Sequence, residues 1–170
     1  MKTARVVVLP YDPAWKAAFA AINQELEAAL GSLALAIEHV GSTSVEGLSA
    51  KPCIDIDVVI EDSAVFPAVV QRLADCGYIH EGDLGIKDRE AFAYSGKEHL
   101  MRHHLYVCPQ QSAELRRHLA FRDFLRTHPA AARQYGAVKV EGARLYPDDI
   151  DAYIRHKSPC IAEIYKICID

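Results

Sequence analysis

His39-Val40-Gly41-Ser42-Thr43-Ser44, followed a short turn later by Cys53-Ile54-Asp55-Ile56-Asp57-Val58-Val59-Ile60, is the pair of segments around which the rest of the sequence is read. The second segment is apolar and β-branched, as strands prefer. Alternate side chains of a strand share a face. Asp55 and Asp57 therefore point one way, and Ile54, Ile56 and Val58 the other. Two neighbouring carboxylates repel unless something positive sits between them. A hard divalent cation answers that need, and Mg2+, or Mn2+ in its place, takes one or two carboxylates plus substrate phosphates. The first segment follows an apolar run, Leu33 to Ile37, which reads as another strand. Gly41 lets backbone approach a ligand closely. Ser42, Thr43 and Ser44 add hydroxyls and successive N–H donors suited to phosphate.

Strand, Gly-Ser, turn and Asp-x-Asp strand together resemble the nucleotidyltransferase superfamily. The block from His39 through Lys51-Pro52 to Ile56 is similar to the signature of the GrpB family within it. Ser44 and Glu46 depart from that pattern, where a small residue and a proline are expected, and both positions lie outside the Gly-Ser pair and the carboxylates. Tyr11-Asp12-Pro13-Ala14-Trp15 resembles a GrpB opening, and His103-His104-Leu105-Tyr106-Val107 a later block. The run Phe121 to Arg126, with Tyr135, Lys139, Tyr153 and Lys157, resembles the family's C-terminal half. The resemblance covers nearly the whole chain. It implies a nucleotidyltransferase-like fold and transfer of a nucleoside monophosphate from a nucleoside triphosphate to an acceptor. Family members also occur appended to other enzymes, for example a dephospho-CoA kinase.

The chain has 170 residues, enough for one domain with a core, and residues 1–170 are read as one. A net charge of −4 argues against nucleic acid as partner and gives no attraction to an anionic membrane. No apolar run approaches the roughly 20 residues of a membrane helix. Val6 to Leu9, a short strand or arm, is too brief for a signal peptide, so the expected location is the cytoplasm. The five cysteines are odd in number and form no CxxC pair, which argues against a disulfide framework or a thiolate zinc site.

Asp12 and Pro13 start a helix whose Trp15, Phe19, Ile22, Leu26 and Leu30 recur at helical spacing, with Gly31 to close it. Asp62 or Ser63 caps a second helix ending at Cys76-Gly77. Strands follow at Tyr78-Ile79-His80, Ala91 to Tyr94, and Met101 to Val107. After Pro109 the chain reads as helical, with Ser112 as a cap, a break at Thr127-His128-Pro129, a restart at Tyr146-Pro147-Asp148-Asp149, and a kink or fresh cap at Ser158-Pro159. The expected architecture is α/β (α+β): a small mixed sheet flanked by helices, with a helical C-terminal segment.

On the third late strand, Arg102, His104 and Tyr106 share one face and His103, Leu105 and Val107 the other. Many nucleotidyltransferases place a third carboxylate on such a strand, and this chain has none there. His104 is the candidate to replace it as general base, to bind phosphate when protonated, or to ligate a metal. The expected catalytic set is Asp55, Asp57 and His104, with Asp55 and Asp57 as metal ligands. Gly41, Ser42, Thr43, Lys51 and Arg102 are the expected phosphate contacts. His39 reads as a core or rim residue that could touch a phosphate. Arg122, Lys139 and Lys157 read as surface charges unless the C-terminal helices fold back over the site. Glu81 or Asp83 would favour transfer if either came to lie beside Asp55. Without such a group the alternative is a catalytically inactive module that binds a nucleotide or phosphate and serves regulation or interaction. A phosphohydrolase using the same carboxylates is a third reading.

Overall fold

β2 (Ile54–Ile60) runs between β1 (Ala36–Val40) and β5 (His103–Pro109), and its alternation decides what covers each face of the sheet. The computed structural model describes residues 5–169. It shows a five-stranded sheet in the order β1-β2-β5-β4-β3, with β3 (Tyr78–Gly82) and β4 (Glu90–Tyr94) completing it. The β2–β5 pair is parallel and the other pairs are antiparallel, so the sheet is mixed. The parallel pair needs a crossover, and α2 (Phe66–Asp75) with the β3–β4 hairpin supplies it.

Ile54, Ile56, Val58 and Ile60 are almost wholly buried on one face. There they pack with Trp15, Ile22, Leu26 and Leu30 of α1 (Ala14–Leu30) and with Val69 and Leu73 of α2. Each such side chain contributes roughly 1.5–3 kcal/mol of burial. The opposite face is covered by α3 (Ala113–Thr127), α4 (Pro129–Leu145) and α5 (Ile150–Ile169). A strand buried on both faces is the usual condition of parallel pairing. It explains why Asp57, on the polar side of β2, is nevertheless 0% exposed.

Local signals placed most boundaries. The Asp12 carboxylate accepts from the amide of Ala14, Asp62 from Ala64, and Ser112 from Leu115. Gly31 ends α1 at φ 54°. Two readings change. The strand expected from Leu33 starts instead at Ala36, because Gly31–Leu33 form a 3-10 turn and pairing with β2 sets the register. The kink or cap expected at Ser158-Pro159 is not a break: α5 continues through Pro159, and the Ser158 hydroxyl donates to the carbonyl of Ile154. Val6 to Leu9 is an extended arm, joined to the rest by the Leu9–Ala50 bridge and by a Val6 amide bond to the Pro147 carbonyl.

Candidate functional site

The register sets the neighbours of the two carboxylates. Asp55 lies opposite Val40 on β1 and His104 on β5, and Asp57 lies opposite Glu38 and Tyr106. Gly41, at φ 73°, begins the turn that carries Ser42. A Cβ at Gly41 would lie 2.3 Å from Asp55 Oδ2, so glycine is what permits this strand end to close on the carboxylate.

Each aspartate is held by a histidine. His104 Nδ1 donates to Asp55 Oδ1 at 2.9 Å. That bond, with a second to Cys53, pushes the His104 pKa from 6.5 up to about 10. His118 of α3 donates through Nδ1 to Asp57 Oδ2 at 2.6 Å, and its Nε2 lies 3.1 Å from Glu114 Oε1. Burial disfavours the His118 imidazolium, but Asp57 and Glu114 outweigh it and hold its pKa above the ordinary value. Burial also pushes Asp57 up, against the pull of His118. The other oxygen of Asp57, Oδ1, is buried without a hydrogen-bond partner among the described residues.

The C-terminal helices do fold back over this face, and they bring cations with them. Lys139 and Lys157 join Lys51, Ser42, Asp55 and His104 around a cavity of about 180 Å³. Lys139 is 2% exposed, and its ammonium has no hydrogen-bond partner among the described residues. It lies 4.5 Å from the centre of the Tyr135 ring. Lys157 and Lys51 lie 4.9 and 5.9 Å from the Tyr153 ring centre. Burial, then the neighbouring Lys157, lowers the Lys139 pKa to about 7. Burial, then Lys51, lowers Lys157 to about 8, and burial lowers Lys51 as well. A second cavity, of about 270 Å³, meets the first at Ser42, Asp55 and Lys157 and is lined by Tyr106, Tyr165, Phe121 and Arg89. The Arg89 guanidinium stacks 4.2 Å from the Tyr106 ring centre.

The structure thus gathers Gly41, Ser42, Lys51, Asp55, Asp57 and His104 on one face. Thr43 lines the cavity, but its hydroxyl is engaged with His39 Nε2 and the Cys53 carbonyl. Ser42 is hydrogen-bonded to Tyr135. Arg102 is exposed just ahead of β5, close enough for its charge to lower Lys51, and lines neither cavity. His39 turns to the core face, stacks on Phe19 at 4.7 Å, and is held neutral by burial with its pKa lowered to about 4. His103 is likewise internal, bonded to the Tyr78 hydroxyl. Glu81 and Asp83 sit at and beyond β3, the far edge of the sheet, and so do not reach Asp55. Glu38 shares the face of Asp57, but Arg122 holds it at 2.7 Å. Residues given no site role from the sequence are His118, Glu114, Arg89, Tyr135 and Tyr153, of which Tyr135 and Tyr153 entered only through the family resemblance. The one local clue is the i, i+4 spacing of Glu114 and His118.

Comparison with known proteins adds lineage. The family model described as GrpB protein matches residues 5–167. A UPF0157 protein of Pseudomonas aeruginosa is 41% identical over 94% of this chain and 66% of its own length. A dephospho-CoA kinase of Mycobacterium tuberculosis is 28% identical over 94% of the chain and 45% of its own length. The chain spans 45% and 66% of the length of two curated UPF0157 relatives, from Bacillus subtilis and Pseudomonas aeruginosa, and 93% of the glutamate-rich protein GrpB of Alkalihalophilus pseudofirmus, to which it is 32% identical over 94% of its own length. Among solved structures, the conserved protein GrpB from Enterococcus faecalis superposes with TM-score 0.84 at 35% identity, covering 95% of this chain and 96% of that one. The Cid1 poly(U) polymerase bound to MgATP superposes with TM-score 0.56 at 9% identity, over 78% of this chain and 43% of that one. The latter likeness shows the fold alone, and that fold is nucleotidyltransferase-like.

Proposed function

The chain belongs to the GrpB family, and on that premise we propose that its Asp55–Asp57 face carries Mg2+-dependent transfer of a nucleoside monophosphate from a nucleoside triphosphate to a hydroxyl acceptor, with release of pyrophosphate and a proton. One observation carries the reading. Two carboxylates on one face of β2 sit beside a cavity that converges Lys51, Lys139 and Lys157, with Lys139 buried and, among the described residues, without a hydrogen-bond partner. Cations without carboxylate partners in a small cavity suit a polyphosphate.

The residues fit a hard divalent ion. Asp57 Oδ1 is a buried acceptor lacking a partner, and oxygen is the donor Mg2+ takes. Asp55 and Asp57 would hold the ion, which when bound neutralises charge on the transferred phosphoryl group. The chain's own groups do the rest by position and charge, as phosphoryl transfer demands. Ser42 and the amides after Gly41 face the phosphates with the three lysines. His104, with its pKa near 10, is an imidazolium at neutral pH. It therefore orients Asp55 and adds positive charge, and does not take the acceptor's proton. Tyr106, Tyr165 and Phe121 offer the adjoining cavity an apolar wall against which a base or an acceptor can stack.

The second reading is a nucleotide- or phosphate-binding module without turnover. It is favoured by the absence of a carboxylate on the site face of β5, where His104 and Tyr106 flank the aspartates. Calorimetry with nucleoside triphosphates, with and without Mg2+, on the wild type and on Asp55→Asn/Asp57→Asn, tests both. Mg2+-dependent binding lost in the double variant supports a nucleotide at this face, and pyrophosphate release on adding acceptors then separates transfer from binding alone. Absence of triphosphate binding overturns the transfer reading.

A further inference from the structure

Cys53, Asp55 and His104 each offer one donor atom, and these atoms lie within 4.8 Å of one another. We propose that they form a second, chemically distinct metal site, for a borderline-soft divalent cation of the Zn2+ class, at the mouth of the lysine-lined cavity.

The arrangement follows from the sheet. Cys53 immediately precedes β2 and Asp55 is the second residue of that strand, and both side chains line the same cavity. His104 is the registered partner of Asp55 on β5. Two donors on paired strands, with the third on the residue that leads into β2, form a stiff frame, which a metal site needs. Ligands of a tetrahedral zinc ion stand ~3.3–3.8 Å apart when the bonds are ~2.0–2.3 Å long. Asp55 Oδ1 and His104 Nδ1 are already 2.9 Å apart, so side-chain rotation of about an ångström brings the three into place.

Donor chemistry separates this corner from the Mg2+ reading. Thiolate and imidazole select zinc-like ions, whereas Mg2+ takes oxygen. Three protein ligands with a fourth position open is the pattern of reactive, not structural, zinc. All three residues line the 180 Å³ cavity, so the open position faces Lys51, Lys139 and Lys157. Binding displaces the proton His104 Nδ1 gives to Asp55 and the thiol proton of Cys53 into solvent; the thiolate, carboxylate and neutral imidazole left behind carry two negative charges, and a divalent ion cancels them. The core is then neutral, and the lysines remain free to draw an anion onto the metal. Asp55 is common to both sites, so a zinc-class ion would compete with or modulate whatever the aspartate pair binds.

The test uses the full chain, reduced and freed of metal, titrated with Co2+ in the absence of nucleotide. The expected result is saturation at one equivalent, with tetrahedral visible bands and a near-ultraviolet thiolate-to-cobalt band, all displaced by Zn2+. Cys53→Ser, a near-isosteric change at a half-buried position, should erase the thiolate band while circular dichroism stays unchanged. His104→Ala should weaken Co2+ binding by at least ~10-fold. A thiolate band that persists in Cys53→Ser, affinity unaltered in His104→Ala, or no cobalt binding at micromolar concentrations overturns the proposal. Because no nucleotide is present, failure here leaves the transfer reading standing, and failure of triphosphate binding leaves this site standing.

Discussion

Asp57 Oδ2 and His118 Nδ1 lie 2.6 Å apart, although 61 positions separate the residues in the chain. The pair joins the middle of β2 to α3, and the Asp57 side chain is 0% exposed. It fastens the C-terminal helices over the site face.

Removing one partner should therefore cost more than a surface ion pair. His118→Leu leaves a buried carboxylate without a donor, and unfolding by urea should show a loss of about 3–5 kcal/mol at neutral pH. Asp57→Leu/His118→Leu should recover much of that loss. The pH dependence has one sign. Both groups bind protons more tightly in the folded chain. The contribution of His118 is thus complete below its ordinary value near 6.5 and fades as pH rises through its higher folded value. The gap between wild type and His118→Leu should be wider at pH 6 than in alkali.

Gly41→Ala tests the close approach on the other aspartate. The new Cβ would sit 2.3 Å from Asp55 Oδ2, at a backbone φ of 73°. Left-handed backbone at a non-glycine residue costs about 1–2 kcal/mol, and the carboxylate must also move. Loss of stability of that size, with triphosphate binding weakened at least ~10-fold as for about 1.4 kcal/mol or more of lost contact, is expected from chemical denaturation and calorimetry. Unchanged binding would show that Asp55 is not positioned by the turn.

The sheet was legible because β2 carries its own pattern: Ile54, Ile56 and Val58 mark one face, and Asp55 and Asp57 the other. The Gly-Ser turn and the caps at Asp12, Asp62 and Ser112 are equally local. His118 was not legible, because its i, i+4 spacing from Glu114 marks a helical pair but does not distinguish an imidazole aimed at β2 from one facing water. Lys139 and Lys157 read as surface charges for the same reason, since only the packing of α4 and α5 against the sheet decides that they are buried. The start of β1 was missed because apolar content at Leu33 is shared by a 3-10 turn and a strand, and only pairing with Val59 fixes the register.

His104 offers a direct electrostatic check. Its hydrogen bond to Asp55 is the largest cause of a pKa raised to about 10. An NMR titration of the imidazole should show that value in the wild type and a fall toward 6.5 in Asp55→Asn. The sign for stability follows: what His104 contributes is complete below pH 6.5 and is lost as pH rises through about 10. A wild-type imidazole titrating near 6.5 would sever the pair in solution.

Lys139 joins stability to binding. Its ammonium is buried without a hydrogen-bond partner among the described residues, and its pKa falls to about 7. A cation depressed in this way makes the folded chain gain stability as pH rises from about 7 toward 10.5, because only the unfolded chain keeps the proton. Lys139→Met removes an unsatisfied polar group worth about 1–3 kcal/mol. It should raise Tm at neutral pH, at about 2–4 °C per kcal/mol for a chain of this size. The amine is useful only if an anion meets it. At pH 8 Lys139 is largely neutral, so an arriving polyphosphate should draw a proton onto it. Calorimetry with inorganic triphosphate, free of metal, in buffers of different ionisation enthalpy should show uptake of up to about one proton per amine. Lys139→Met should remove most of that uptake while weakening binding. Enthalpies independent of buffer, with affinity unaltered in the variant, would mean that the phosphates do not enter the lysine-lined cavity.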